Sequence, residues 1–202
     1  MSVATSNLAN LHTGTGTSLY SRLNSEWHKR SLHLFMIIVL AHWAEHLTQA
    51  VQIYVLGWPR PQAGGMLGLF FPFLVSSEIL HYGYAIVMLI GIWMLRKGFT
   101  GLSRKWWTVA LVIQFWHHIE HLLLLIQAQT DTFFFGGSVP TSVAQVIIPR
   151  VELHLFYNSI VFIPMVIAVY LHFRPNEREL RATSCTCGRR DRVHDSVAAP
   201  AT

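Results

Sequence analysis

Apolar and polar positions along this chain alternate on a scale far longer than a helical turn or a strand pleat. Four nearly unbroken apolar runs, roughly Leu32–Leu56, Ser76–Leu95, Trp106–Ala128 and Val151–Phe173, are separated by short stretches that hold most of the charge. Each run is long enough to cross a hydrocarbon core of about 30 Å at about 1.5 Å per helical residue. Over that length in lipid a lone segment satisfies its own backbone only as a helix, so the runs predict four transmembrane helices. The expected fold is an all-α integral membrane protein, a four-transmembrane-helix bundle.

The runs are not independent of one another. The first reads HWAEHLTQAVQ from His42 to Gln52, and the third reads HHIEHLLLLIQ from His117 to Gln127. Both are H-x-x-E-H-L followed at the same distance by Gln. The runs after them also align, ILHYGYAIV around His81 against ELHLFYNSIV around His154. Each of these follows a Gly-Gly pair (Gly64-Gly65, Gly136-Gly137) and a proline, Pro72 or Pro149. The transmembrane domain, residues 31–173, thus reads as two tandem two-helix repeats, about 31–97 and about 104–173. With two spans per unit both copies enter the bilayer from one side, and their pseudo-twofold axis runs along the membrane normal.

Composition adds direction to this picture. Charged residues make up only 12% of the chain. Of its 15 Lys and Arg, only Arg60 and Arg150 fall in the first and third loops. The rest crowd the N-terminal flank, the second loop and the C-terminal flank, which predicts a cell-membrane protein with both termini cytoplasmic. The net charge of +5 is then a topology signal and a contact for anionic lipid. The cations flank spans and form no groove or aromatic-interleaved stripe, so a nucleic-acid partner is excluded.

Residues 1–30 and 174–202 are expected to be disordered cytoplasmic tails, with the first span acting as an uncleaved insertion signal. In the second tail Cys185 and Cys187 form C-x-C. The single residue between them and a reducing cytoplasm both disfavour a disulfide. Beside His194 the pair could hold a soft metal ion, although two ordinary thiols are the simpler reading.

The chemistry lies inside the spans. His42, Glu45, His46, Glu78, His81, His117, Glu120, His121, Glu152 and His154 are all ionisable and all within or at the ends of apolar runs. On the first helix His42, Glu45, His46, Gln49 and Gln52 share one face by helical spacing, and the third helix repeats the stripe with Leu124 in place of one Gln. Helix rise puts the four sets at similar depth, in the outer half of the bilayer. His118 is turned about 100° from His117 and faces elsewhere. The inner halves are apolar apart from His33, Gln114 and His172, which argues against a conduit. One such residue alone is ordinary interhelical hydrogen-bond glue. A duplicated set with matched spacing points instead to a metal site, because coordination compensates the cost of holding these groups in lipid.

The expected function is therefore a membrane-embedded metalloprotein with a dinuclear His/Glu site formed by those ten residues. Glu45 and Glu120 would be the catalytic carboxylates, bridging ions or relaying protons. Mixed imidazole and carboxylate ligands favour iron, with copper, zinc or haem as alternatives. An oxidoreductase or oxygenase acting on a lipid-soluble substrate, supplied by an electron donor, fits best. A haem b electron-transfer subunit, a metal-ion transporter and an intramembrane zinc hydrolase are the competing readings, the last because H-x-x-E-H is also the inverted zinc-hydrolase motif. The partners expected are the lipid bilayer, and a second copy or a larger membrane complex. Tryptophans near span ends read as interface anchors, and the Phe70–Phe73 and Phe133–Phe135 runs as an outer cap over the cluster.

Overall fold

The computed structural model describes residues 18–185 and 187. These residues are all-helical, with no strand among them. The helices are α1 (Leu19–Leu23), α2 (His28–Tyr54), α3 (Gly65–Phe70), α4 (Pro72–Ser76), α5 (Glu78–Leu95), α6 (Gly101–Thr130), α7 (Arg150–Phe173) and α8 (Glu177–Ala182). Four of them, α2, α5 with its 3₁₀ extension to Gly98, α6 and α7, are long and apolar enough to cross a membrane. They pack in a ring in which α2 touches α5 and α7, and α6 touches the same two from the opposite side. The two H-x-x-E-H helices therefore stand diagonally across the bundle, with His81 and His154 on the helices between them.

One half of the bundle is filled by hydrocarbon. Leu32, Phe35 and Val39 of α2 meet Met88, Ile92 and Leu95 of α5, Trp107 and Ala110 of α6, and Val161, Met165 and Ala168 of α7. Trp107 donates its indole N–H to the Ile92 carbonyl at 2.7 Å, which satisfies the one polar atom this side chain buries. The outside of the long helices is apolar too: Leu34, Ile37, Leu40, Val87, Val112, Phe115 and Ile163 are exposed, Val112 by 64%. Apolar surface of this extent is rare on water-soluble monomers.

The polar half is closed by its loops, and the stripe glutamines do the closing. Gln52 accepts from Gly65 N–H at 2.8 Å and donates to the Gly65 carbonyl at 3.1 Å. Gln127 accepts from Thr141 N–H at 3.2 Å and from Phe134 N–H at 3.0 Å, and donates to the Thr141 carbonyl at 2.8 Å. Gly65 has φ +74°, and a Cβ there would lie 2.3 Å from Glu45 Oε1, so this turn accepts only glycine without rearrangement.

At the opposite end two boundaries differ from the sequence expectation. Residues 19–23 and 28–30 are helical rather than part of a disordered tail, with Ser18 capping α1. Residues 177–182 form α8, nucleated by a capping box between Asn176 and Glu179. Glu179 also accepts from Leu102 N–H, docking α8 on the start of α6. Local capping supplied hydrogen-bond partners that composition alone does not reveal. The outer parts of both expected tails, residues 1–17 and 188–202 with His194, lie outside the described residues. A second correction concerns the cysteines. Cys185 and Cys187 are joined by a disulfide, their Cα atoms 5.4 Å apart, a separation that two bonded sulfurs can bridge. In the Phe runs, Phe70, Phe73 and Phe135 are largely exposed.

Candidate metal centre

Six imidazoles converge in the polar half. His117, His121 and His154 form a closed triangle with ring centroids 4.6, 5.2 and 5.9 Å apart. His46 joins it at 5.3 Å from His154, and His42 stands behind His46 at 4.4 Å. His81 completes the set at 6.2 Å from His121 and 6.3 Å from His154. His154 is thus the hub, within about one ring width of four others and itself buried.

The hydrogen bonds fix which nitrogen of several rings is free. His154 Nδ1 lies 2.7 Å from the Arg150 carbonyl, His81 Nδ1 3.0 Å from the Ser77 carbonyl, and His46 Nδ1 2.8 Å from Gln49 Oε1. The two backbone carbonyls can only accept, so Nδ1 of His154 and of His81 carries the proton and each neutral ring keeps its lone pair on Nε2; Gln49 sets His46 the same way with its amide oxygen toward the ring. His154 Nε2 is buried and has no hydrogen-bond partner. His46 Nε2 faces His42 Nε2 at 3.0 Å. Two nitrogens bound to one ion at about 2.0–2.1 Å sit roughly that far apart. His117 and His121 leave Nδ1 buried and unpaired as well.

Two tyrosines wall the set in matched fashion. Tyr84 stacks on His42 at 3.8 Å, and Tyr157 stacks on His117 at 4.5 Å. Each stands three residues after the histidine of its own helix, His81 or His154, so an H-x-x-Y pattern was present in the sequence as a signal and went unread. Trp116 donates to the Tyr157 hydroxyl at 2.8 Å, while the Tyr84 hydroxyl is buried without a partner. His118 stacks on Tyr82 at 5.2 Å, away from the six.

The four glutamates have partners of their own. Glu45 accepts from Leu67 N–H at 2.7 Å, at the start of α3. Glu120 accepts from Ala144 N–H at 3.3 Å, at the start of a 3₁₀ turn in the third loop, and leaves its other oxygen buried and unpaired. Glu78 pairs with Arg150 at 2.6 Å, and Glu152 with Arg60 at 2.5 Å and with the Tyr54 hydroxyl. Arg60 and Arg150, which in the sequence only counted toward orientation, are the counterions of two expected ligands. Two carboxylates at the starts of apolar runs, with a single cation in each adjoining loop, carried that signal.

Two cavities touch the histidines. A closed one of about 20 Å³, room for little more than a water, lies among His42, His81, His117, His121, His154 and Tyr84. A larger one of about 420 Å³ opens at the looped end and reaches His46, His81 and His154 past Arg60 and Arg150. Among the described residues, three ligand atoms all within 4.8 Å of one another occur elsewhere, at His28, His172 and Cys185. The six imidazoles are spread more widely than that group.

Fold and site together define an all-helical chain with four helices fit to cross a membrane and a polar cluster of six histidines between them. Comparison with family models, curated proteins and solved structures finds no match to this chain.

Proposed function

We propose that this is a four-span membrane metalloprotein, built from two tandem two-helix units, that binds two transition-metal ions and works as an oxidoreductase or oxygenase. The apolar exterior supports insertion, and the cation bias supports cytoplasmic termini with the histidines in the outer half. Gln52 and Gln127 each clamp a loop, Tyr84 and Tyr157 each stack on a histidine, and Glu45 and Glu120 each accept from a loop N–H; these matched contacts support the duplication.

One observation carries the metal assignment. His154 has Nδ1 tied to the Arg150 carbonyl while its Nε2 is buried without a hydrogen-bond partner; His81 and His46 also have Nδ1 tied to an acceptor, and His46 Nε2 faces His42 Nε2. Metal-binding histidines are oriented in this way. Purely structural histidines would be expected to use both nitrogens in hydrogen bonds. The ligands are His42, His46, His81, His117, His121 and His154, three from each unit. An all-imidazole set suits copper, iron or zinc, and the first two supply redox chemistry. Glu45 and Glu120 hold the outer loops over the centre, and the unpaired oxygen of Glu120 makes it the better proton acceptor of the pair. The open cavity admits a small oxidant from the outer face, and the exposed apolar flanks suit a lipid-soluble substrate.

Elemental analysis of the purified, detergent-solubilised protein tests this. Between one and two equivalents of copper, iron or zinc are expected, falling by half or more in His154→Ala with the fold retained. Metal below about a tenth of an equivalent after metal-replete growth would end the proposal. A Soret band would replace bare ions with haem.

A further inference from the structure

A second cluster sits at the other end of the bundle, against the apolar core. His28 opens α2, His172 closes α7, and Cys185 and Cys187 follow α8; all four are buried. One ligand atom from each of His28, His172 and Cys185 lies within 4.8 Å of the other two. Cys185 Sγ is 3.7 Å from His172 Nε2, and the two imidazoles are 5.1 Å apart by centroid. His28 Nδ1 faces the Leu23 carbonyl at 3.2 Å, which must accept, so its lone pair is on Nε2. That Nε2 is buried without a hydrogen-bond partner.

The surroundings hold this geometry firmly. A Cβ on Gly98 would fall 2.3 Å from the His28 ring, so the glycine lets the loop close over the imidazole. Asn24 donates to the Tyr20 and Met94 carbonyls and accepts from Gly98 N–H at 2.7 Å. Ser184 donates to the Asn24 carbonyl at 3.2 Å, which ties the segment carrying Cys185 back to the start of the chain. The start of the first long helix, the end of the last and the segment after α8 are brought to one point, and the point has two sulfurs and two imidazoles.

We propose that, with Cys185 and Cys187 reduced, His28, His172, Cys185 and Cys187 form a closed Cys₂His₂ site for a thiophilic divalent cation, of the zinc type. It is separate from the six-histidine centre and has a structural role, fastening the C-terminal segment to the first and last long helices. Tetrahedral N and S ligation with no open position is the usual form of such a site. Loading is balanced as follows. A dithiol reductant gives two electrons and two protons to the Cys185–Cys187 bond and becomes a disulfide itself; the cation then displaces the two thiol protons and binds two thiolates. The bonded and the metal-bound states are thus alternatives, and the reduced pair is the one that takes metal.

Cobalt(II) titration of the full chain in detergent, after reduction with a dithiol and its removal without air, reads the site directly. A sulfur-to-cobalt charge-transfer band saturating at one equivalent is expected, displaced by zinc. The band should vanish in Cys185→Ser/Cys187→Ser and weaken at least about tenfold in affinity in His172→Gln. Both variants are conservative, and their folding is checked by helical circular dichroism. No band from reduced protein with two titratable thiols would overturn the proposal, as would a band that survives in the double variant. Cobalt bound to the six histidines carries no sulfur band, so the result is independent of the outer centre.

Discussion

Gln49 offers the sharpest test of how the outer histidines are set. Its Oε1 lies 2.8 Å from His46 Nδ1, and on the other side of the same ring Nε2 lies 3.0 Å from His42 Nε2. In Gln49→Leu the acceptor is gone, and metal-free His46 moves its proton to Nε2, where His42 accepts it. Binding a cation through Nε2 then requires shifting the proton back to a buried Nδ1 with no partner, at about 1–3 kcal/mol. That range corresponds to roughly 5- to 150-fold, and measured losses of such orienting partners are about 10- to 100-fold in affinity. The expected result is metal binding weakened by about 10- to 100-fold, measured by competition with a chelator of known affinity. Gln49→Glu keeps an acceptor at the same place and should retain affinity within about threefold. Packing alone would make both variants behave alike. Equal affinity in Gln49→Leu and the unaltered protein would refute the tautomer argument.

Two further outcomes follow from the fold. Gln52→Leu removes both partners of a buried peptide, Gly65 N–H and C=O, and should destabilise the folded bundle by about 2–5 kcal/mol. Gln127→Leu should lose at least as much, since it strips two N–H groups and a carbonyl; detergent-based unfolding that shows neither loss would remove the loop-clamp role. For orientation, Val139→Cys and Lys105→Cys in a Cys185→Ser/Cys187→Ser background should be labelled oppositely by an impermeant maleimide on intact cells. Val139→Cys should react at once and Lys105→Cys only after permeabilisation; the reverse order would invert the topology.

The amino-acid pattern determined the long helices, because a helix lets an apolar run of that length pair its backbone within itself. It also determined the histidine stripe, since His42, His46, His117 and His121 share faces through helical spacing alone. Expected bounds such as Val151–Phe173 differ from the helix Arg150–Phe173 by a single residue, whereas His28 and Gly101 begin their helices earlier than the apolar runs do. Those extra turns are polar, so hydropathy does not register them.

The partners of the glutamates were decided only by tertiary structure. Glu45 is one residue from His46 and about 100° around the helix, so whether it meets the imidazoles or the loop depends on where Leu67 returns. The same holds for Glu78 and Glu152, whose cations come from Arg150 and Arg60 in distant loops. The cluster of His28, His172, Cys185 and Cys187 was likewise out of reach of local pattern, in which the two cysteines read most simply as ordinary thiols. Periodicity reports which side chains share a face of one element. Which faces and loop ends then meet is set by packing between elements, through contacts that no local pattern encodes.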